Sequence, residues 1–192
     1  MLRRLYDRTI VMADHPAAMW ILFIVAFAES SVFPIPPDVL LIPMILARPH
    51  RAFWIATVCL TGSVLGGIAG YGIGMFAFDT IGQPILTALG KEAYFDQFAQ
   101  RYNDWGIWVV LTAGVTPFPY KVITIMSGAT ALPLWVFIAT SIVARAIRFF
   151  ALAALLYYFG PSIRDFIEKR LGLVFTLGMV VLIGGFAAVR YL

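Results

Sequence analysis

The sequence has few of the residues on which soluble domains and most enzymes depend. Only 12% of its 192 residues are charged, and Cys59 is its single cysteine. One cysteine excludes an intramolecular disulfide and a cysteine-based metal site. The H-E-x-x-H, G-x-S-x-G, Walker and G-x-G-x-x-G signatures are also absent. We therefore predict a protein that is not an enzyme and has no cofactor or metal, with Ser30, Ser31 and Ser127 leaving an intramembrane hydrolase as the weakest alternative.

Apolar residues are what the sequence has in abundance. Hydrophobic residues make up 61% of the chain and the mean hydropathy is +0.90, whereas soluble domains are roughly 45–50% apolar. The sequence therefore predicts an integral membrane protein whose partners are membrane lipids. The net charge of +4 does not indicate nucleic-acid binding, because the basic residues cluster at segment ends, as the positive-inside rule and anionic headgroups favour. The N-terminus has no cleavage site typical of a signal peptide.

The whole chain, residues 1–192, is predicted to form a single membrane domain. Its predicted segments are an interfacial amphipathic segment at 1–15, a re-entrant hairpin at 17–47, a transmembrane helix at 53–78, an extracytoplasmic loop with an amphipathic helix at 79–104, a second re-entrant hairpin at 105–130, and transmembrane helices at 133–159 and 172–190. With the N-terminus in the cytoplasm, eight lysines and arginines lie inside and three outside. We expect the protein in a bacterial cytoplasmic membrane.

Two proline-rich breaks lead to the hairpin interpretation. The stretches P-I-P-P-D-V-L-L-I, from residue 34, and P-F-P-Y-K-V-I-T-I, from residue 117, share the pattern P-x-P-x-x-V-x-x-I. Each proline removes an amide donor and disfavours helix at the residue before it. The freed backbone groups need protein or water around them, and the flanking apolar limbs fall short of the ~20 residues that cross a bilayer. The breaks are placed at Pro34, Pro36, Pro37, Pro117 and Pro119.

A shift of 83 residues aligns the two halves without a gap. One hairpin and one span cross the membrane once, so the second copy would be inverted relative to the first. We therefore predict an all-α polytopic membrane protein with an inverted repeat of re-entrant helical hairpin plus transmembrane helix, and an additional C-terminal transmembrane helix. In such repeats the substrate site lies near the bilayer midplane, between the repeats.

Five ionisable residues fall inside the predicted membrane region: Glu29, Asp38, Lys121, Arg145 and Arg148. Each would cost roughly 2.5–3.5 kcal/mol at the centre of a lipid-facing helix, so we expect them to face the protein interior. Their excess of positive charge suits a phosphate group, which arginine binds in bidentate fashion. A carboxylate without water favours its protonated form and could carry a proton. The alternative is a structural salt-bridge cluster that holds the hairpins to the spans.

Small residues recur every fourth position in the first long span, at Gly62, Gly66, Gly70 and Gly74. Such a face allows close helix approach. We predict that it packs against a hairpin. Lining a lipid path is the lesser alternative, and a chain of this size with a glycine face could also form a homo-oligomer.

Three stretches together resemble the DedA family, also called the VTT or SNARE-associated membrane domain. They are Glu29 followed by P-I-P-P-D-V-L-L-I-P, the stretch G-S-V-L-G-G-I-A-G-Y-G-I-G, and a second hairpin that ends in S-G-A-T. The resemblance covers residues 20–160 and is closest to the YqaA-like branch, in which T-P-x-P-Y-K is the second motif. The resemblance implies lipid transport, since bacterial members are implicated in moving undecaprenyl phosphate or phosphatidylethanolamine and eukaryotic relatives resemble scramblases.

The family's acidic pair maps by motif onto Glu29 and Asp38, whereas its R-F-x-P-x-x-R string is absent. Lys121 is the only cation of the second hairpin, and Arg145 and Arg148 are expected to supply the missing guanidinium groups from the following span. The leading hypothesis is a flippase or scramblase that moves an anionic lipid headgroup between leaflets. In it the three cations bind phosphate, and the two acids relay protons or act as a gate.

Two alternatives stay open. One is a proton- or ion-coupled carrier of small solutes, which would be identified if soluble substrates rather than lipids compete for transport. The other is a membrane organiser without transport, in which neutralising the five charges would alter folding but would not change any transport rate.

Overall fold

The computed structural model describes residues 17–160 apart from Pro34 and Pro117, and this part of the chain contains helices and no strand. The eight α-helices described are α1 Ala18–Ser31, α2 Asp38–Ala47, α3 Ala52–Ala77, α4 Gln83–Leu89, α5 Glu92–Asp104, α6 Gly106–Val115, α7 Tyr120–Ala129 and α8 Leu134–Gly160. The predicted segments at 1–15 and 172–190, and two of the predicted break prolines, lie outside the described residues. The all-helical part of the sequence prediction is confirmed.

Two of the helical stretches are long and apolar enough to cross a membrane. Helix α3 follows a 3-10 turn, Pro49–Arg51, and continues through a π-helical turn, Phe78–Gly82, into α4. The resulting stretch, Pro49–Leu89, has 41 residues, and α8 has 27. The sequence placed the end of the first span at residue 78, where the π-helical turn begins, and the chain stays helical beyond it.

The proline-rich breaks separate short helices. Helix α1 has 14 residues, and α2, α6 and α7 have 10 each. Helices α2 and α7 begin directly after Pro37 and Pro119, positions where the fixed proline φ and missing amide suit a helix start. At 1.5 Å per residue these helices are roughly 15–21 Å long, so none of them alone crosses a hydrocarbon core of about 30 Å.

The two long helices contact both broken helix pairs through two hydrophobic clusters. The first cluster joins α1, α2, α3 and α8 and includes Leu22, Ile45, Ile55 and Phe149. The second joins α3, α6, α7 and α8 and includes Tyr71, Val110, Tyr120 and Phe137. The broken pairs are therefore placed against the same two helices, one pair towards each end.

One side of α3 is formed by the buried glycines Gly62, Gly66, Gly70 and Gly74. Gly66 lies against the backbone of Phe27 in α1, and Gly74 against the backbone of Ile125 in α7. A Cβ atom at any of the four would come closer than 3.0 Å to a neighbouring atom, a distance that real Cβ atoms essentially never show. The glycine face therefore brings α1 and α7 to backbone contact with α3.

Candidate site at the helix breaks

Four of the five predicted membrane charges meet as two ion pairs. Glu29 lies in the last turn of α1 and Asp38 is the first residue of α2, so the break between them places both acids near its ends. Arg145 and Arg148 are three residues apart on α8, on one helical face. Arg145 Nη2 lies 3.0 Å from Glu29 Oε2, and Arg148 Nη2 lies 2.5 Å from Asp38 Oδ2. We call Glu29–Arg145 the inner pair and Asp38–Arg148 the outer pair.

The inner pair is buried and held by several partners. The Arg145 side chain is 1% exposed and that of Glu29 is 15% exposed. The Ser30 hydroxyl lies 3.1 Å from Glu29 Oε2, accepts from Arg145 Nη2 at 3.3 Å, and lies 2.7 Å from the Ser63 hydroxyl of α3. These contacts join α1, α3 and α8 around one guanidinium group.

An aromatic residue that was not among the predicted site residues contacts the arginine of the inner pair. The Arg145 Cζ atom lies 3.9 Å from the centre of the Tyr120 ring and 5.6 Å from that of Phe149. The Tyr120 hydroxyl donates to Ser141 Oγ on α8, so the ring is held from its other end. Cations are attracted to the face of an aromatic ring at such distances. The sequence signals for this residue were its position directly after Pro119 and its place as the tyrosine of the T-P-x-P-Y-K motif.

The outer pair is more open and contacts both breaks. The Asp38 and Arg148 side chains are each 21% exposed. Arg148 Nη1 also donates to the Thr116 carbonyl at 2.8 Å, and Thr116 follows the end of α6 and precedes the second proline pair. Asp38 Oδ1 is buried and has no hydrogen-bond partner among the described residues. A single guanidinium thus bridges the first break to the second.

Lys121 is placed apart from the two ion pairs. It is half-buried in the first turn of α7, and within residues 17–160 it forms no ion pair. Its carbonyl accepts from Thr124 Oγ1 at 2.9 Å, and the same hydroxyl lies 3.0 Å from the Ser30 carbonyl. The Lys121 backbone is therefore linked to the end of α1, whereas its predicted phosphate-binding role stays a prediction.

The described part of the chain contains no group of three or more histidine, cysteine, aspartate or glutamate side chains that could hold a metal ion. The arrangement consists of carboxylates, guanidinium groups and hydroxyls. These groups form ion pairs and hydrogen bonds, and a guanidinium group is also able to bind an anion.

The contribution of Tyr120 can be measured with two substitutions. Tyr120→Phe removes the hydroxyl that bonds Ser141 and keeps the ring against Arg145, whereas Tyr120→Leu removes both contacts. We expect Tyr120→Leu to lower the free energy of unfolding by about 2 kcal/mol more than Tyr120→Phe, since a desolvated cation–π contact contributes about that much. Unfolding in detergent, followed by circular dichroism, gives both values. Equal losses would contradict a role for the ring face.

The fold and the site define a helical membrane domain with ion pairs buried where its helices are broken. Residues 35–158 match the model of the VTT domain. The chain is 35% identical over 170 residues to an uncharacterized protein of Haemophilus influenzae, with 88% of each chain covered. It is 37% identical over 158 residues to an uncharacterized protein of Histophilus somni, with 82% of each covered.

A more distant relative is an uncharacterized protein of Methanocaldococcus jannaschii, 23% identical over 128 residues, which cover 66% of this chain and 76% of that one. No solved structure matches. The chain belongs to the VTT-domain family, also called the DedA family. It is therefore a membrane protein of a family usually associated with membrane transport. Membership of the YqaA-like branch stays a prediction.

Proposed function

We propose that the protein moves an anionic lipid headgroup between the leaflets of the membrane, with the charges at the two helix breaks as its polar site. The observation that carries this proposal is the position of Arg148. Its guanidinium bonds to Asp38 at the first break and to the Thr116 carbonyl at the second, while a fifth of its side chain stays exposed. Intramembrane charges of this kind mark substrate pathways in membrane proteins.

The donor groups of the site favour an anion. The charges balance within each of the two ion pairs, and Lys121, which lies apart from them in the first turn of α7, is the one of the five charged residues without an ion pair among the described residues. A guanidinium presents paired N–H donors that match two oxygens of a phosphate. A phosphate-bearing headgroup would therefore be bound more readily than a neutral one.

The surroundings of the outer pair favour a lipid over a soluble anion. Both breaks expose large apolar side chains, which are Val32, Phe33 and Ile35 in the first break and Phe118 in the second. An amphiphile could place its headgroup on the guanidinium and its chains along these side chains, since apolar groups leave water readily. A soluble anion would gain nothing from the apolar surface.

The proposal includes two re-entrant hairpins that enter the membrane from opposite sides. Contacts with α3 support the first hairpin. Phe23, Phe27 and Ser30 of α1 lie against Gly62, Gly66 and Gly70 in turn, so α1 runs in the same direction as α3. Helix α2 then returns, because its last turns cluster with the first turns of α3.

Contacts at the other end support the second hairpin. Gly106, at the start of α6, lies against Leu132, whose carbonyl accepts a hydrogen bond from Tyr71. Gly114, towards the end of α6, lies further along α8, against Ala144. Helix α7 returns from Tyr120 to Gly128, which meets the Tyr71 backbone. The second pair thus starts and ends near Tyr71, towards the end of α3, and its break meets the first break at Arg148. Two breaks that face each other, in pairs that start from opposite ends of α3, support an inverted repeat.

The double variant Asp38→Asn with Arg148→Gln tests the proposed function. Replacing both partners by neutral amides leaves no buried charge unpaired, so the fold should persist. We expect translocation of a headgroup-labelled anionic phospholipid in proteoliposomes to fall at least about tenfold, because the loss of one charge-assisted hydrogen bond of about 1.5 kcal/mol corresponds to that factor. The double variant Asp96→Asn with Arg101→Gln, at two exposed positions of α5, makes the same two chemical changes and is the matched control, which should translocate like the wild type.

Wild-type rates in the folded double variant would exclude transport through the outer pair. Absence of both lipid translocation and solute uptake by the folded wild type would favour a membrane organiser. Absence of lipid translocation by the wild type, together with uptake of a soluble phosphate ester, would favour the small-solute carrier.

A further inference from the structure

We propose that Arg148 is an oxyanion-binding site that Asp38 masks, so that the anion and the Asp38 carboxylate compete for one guanidinium. This inference rests on the proposed function, which it deepens by separating the roles of the two ion pairs. The inner pair is a fixed anchor, and the outer pair is the contact that a ligand opens.

The partners of the two arginines differ in a way that supports this division. Arg145 is 1% exposed and is enclosed by Glu29, Ser30, and the rings of Tyr120 and Phe149. An incoming anion would have to displace this whole set of contacts. Arg148 is 21% exposed, and its hydrogen-bond partners among the described residues are the Asp38 carboxylate and one backbone carbonyl. An anion reaches Arg148 by replacing two acceptors.

The Asp38 carboxylate is suited to being released. Its Oδ1 atom has no hydrogen-bond partner in the described part of the chain, so only Oδ2 holds it to Arg148. Asp38 is also the first residue of α2, where the N-terminal end of the helix dipole stabilises a negative charge. A carboxylate that has left the guanidinium therefore remains in a favourable position, which lowers the cost of opening the pair.

The donor geometry indicates the ligand chemistry. Arg148 uses Nη2 for Asp38 and Nη1 for Thr116, so two N–H groups become available together. A tetrahedral oxyanion with two adjacent acceptor oxygens, such as a phosphate monoester or inorganic phosphate, can take both. Binding would also free the Thr116 carbonyl and so disconnect the second break from Arg148.

Competition predicts effects of opposite sign for the two members of one ion pair. If the masked state is about ten times as populated as the open state, it raises the apparent dissociation constant about tenfold. We expect Asp38→Asn, which weakens the competitor, to bind inorganic phosphate up to about tenfold more tightly than the wild type. We expect Arg148→Gln to bind it at least about tenfold more weakly. A pair with only a structural role would give no such opposition.

The experiment is equilibrium binding of radiolabelled inorganic phosphate, and separately of short-chain phosphatidic acid, to the full-length protein in nanodiscs. Asp96→Asn, on the exposed surface of α5, is the matched control, because it changes the net charge by the same amount as Asp38→Asn. It should bind like the wild type. Thermal unfolding of each variant shows whether it is folded. The two probes separate a free phosphate from a lipid headgroup as the source of the anion.

Unchanged or weaker phosphate binding by folded Asp38→Asn would overturn the competition, and so would equal binding by the wild type and Arg148→Gln or no binding by either. If Asp38→Asn strengthens and Arg148→Gln weakens phosphate binding but the wild type translocates no lipid, the competition is supported and the lipid function is excluded. Lipid translocation that Arg148→Gln abolishes, with no gain in binding for Asp38→Asn, would keep the function and exclude the competition.

Discussion

Gly66→Ala should lower the free energy of unfolding by about 2 kcal/mol or more, although alanine is the better helix former. The added Cβ would overlap the Phe27 backbone of α1, closer than any real Cβ contact. Because the clashing atoms are backbone, the strain cannot be relieved by a change of rotamer and α1 has to move. Overpacking of this kind costs about 1–3 kcal/mol or more, and the gain in helix propensity of about 1 kcal/mol offsets only part of it.

Gly72→Ala is the matched control, since it changes the same residue type in the same helix. A Cβ at Gly72 meets nothing within 4 Å, so only the helix propensity acts, and we expect equal or slightly higher stability. Both free energies can be measured by unfolding in detergent followed by circular dichroism. Similar values for the two variants would contradict the close contact of α1 with α3. A loss of stability for Gly66→Ala but not for Gly72→Ala would show that the repeated glycines are needed for close contact with α1.

Local chemistry explains what the sequence predicted well. Proline has strict backbone requirements wherever it occurs, so P-x-P within an apolar stretch predicted two interrupted helices, and the structure contains a gap in the helix at each motif. The four-residue repeat of small residues depends only on helical periodicity. The high cost of a lipid-facing charge similarly predicted that the membrane charges would lie against protein, and four of them do.

Pairing between distant residues could not be predicted in this way. Arg145 and Arg148 are on one face of α8, and either could have reached Glu29 or Asp38. The actual partners depend on how far each broken helix extends along α8, which no local pattern encodes. Tyr120 was missed for a similar reason, because its ring contacts a residue 25 positions away and α7 is too short to give a periodic signal. Lys121 was grouped with the arginines by its charge and by its place after the second proline pair; among the described residues only its backbone contacts the site, and its binding role stays a prediction.

The largest electrostatic effect on stability is expected at the inner pair. Glu29→Gln leaves Arg145, which is 1% exposed, without its counter-charge. Breaking a buried ion pair from one side costs about 3–5 kcal/mol, because the remaining charge stays desolvated. We therefore expect Glu29→Gln or Arg145→Gln alone to lower the free energy of unfolding by about 3 kcal/mol.

The double variant of the inner pair should lose less free energy of unfolding than the two single variants lose in total, because no unpaired charge remains. The same cycle on the outer pair should give smaller losses of stability for the single variants, since the Asp38 and Arg148 side chains are partly exposed. Measuring both cycles by detergent unfolding compares two ion pairs of the same chemical type in one protein. Equal coupling energies would contradict the division into an anchor and an exchangeable contact. A strong inner and a weak outer coupling would mean that α1 stays fixed to α8 through Arg145 while the break before α2 can open at Arg148.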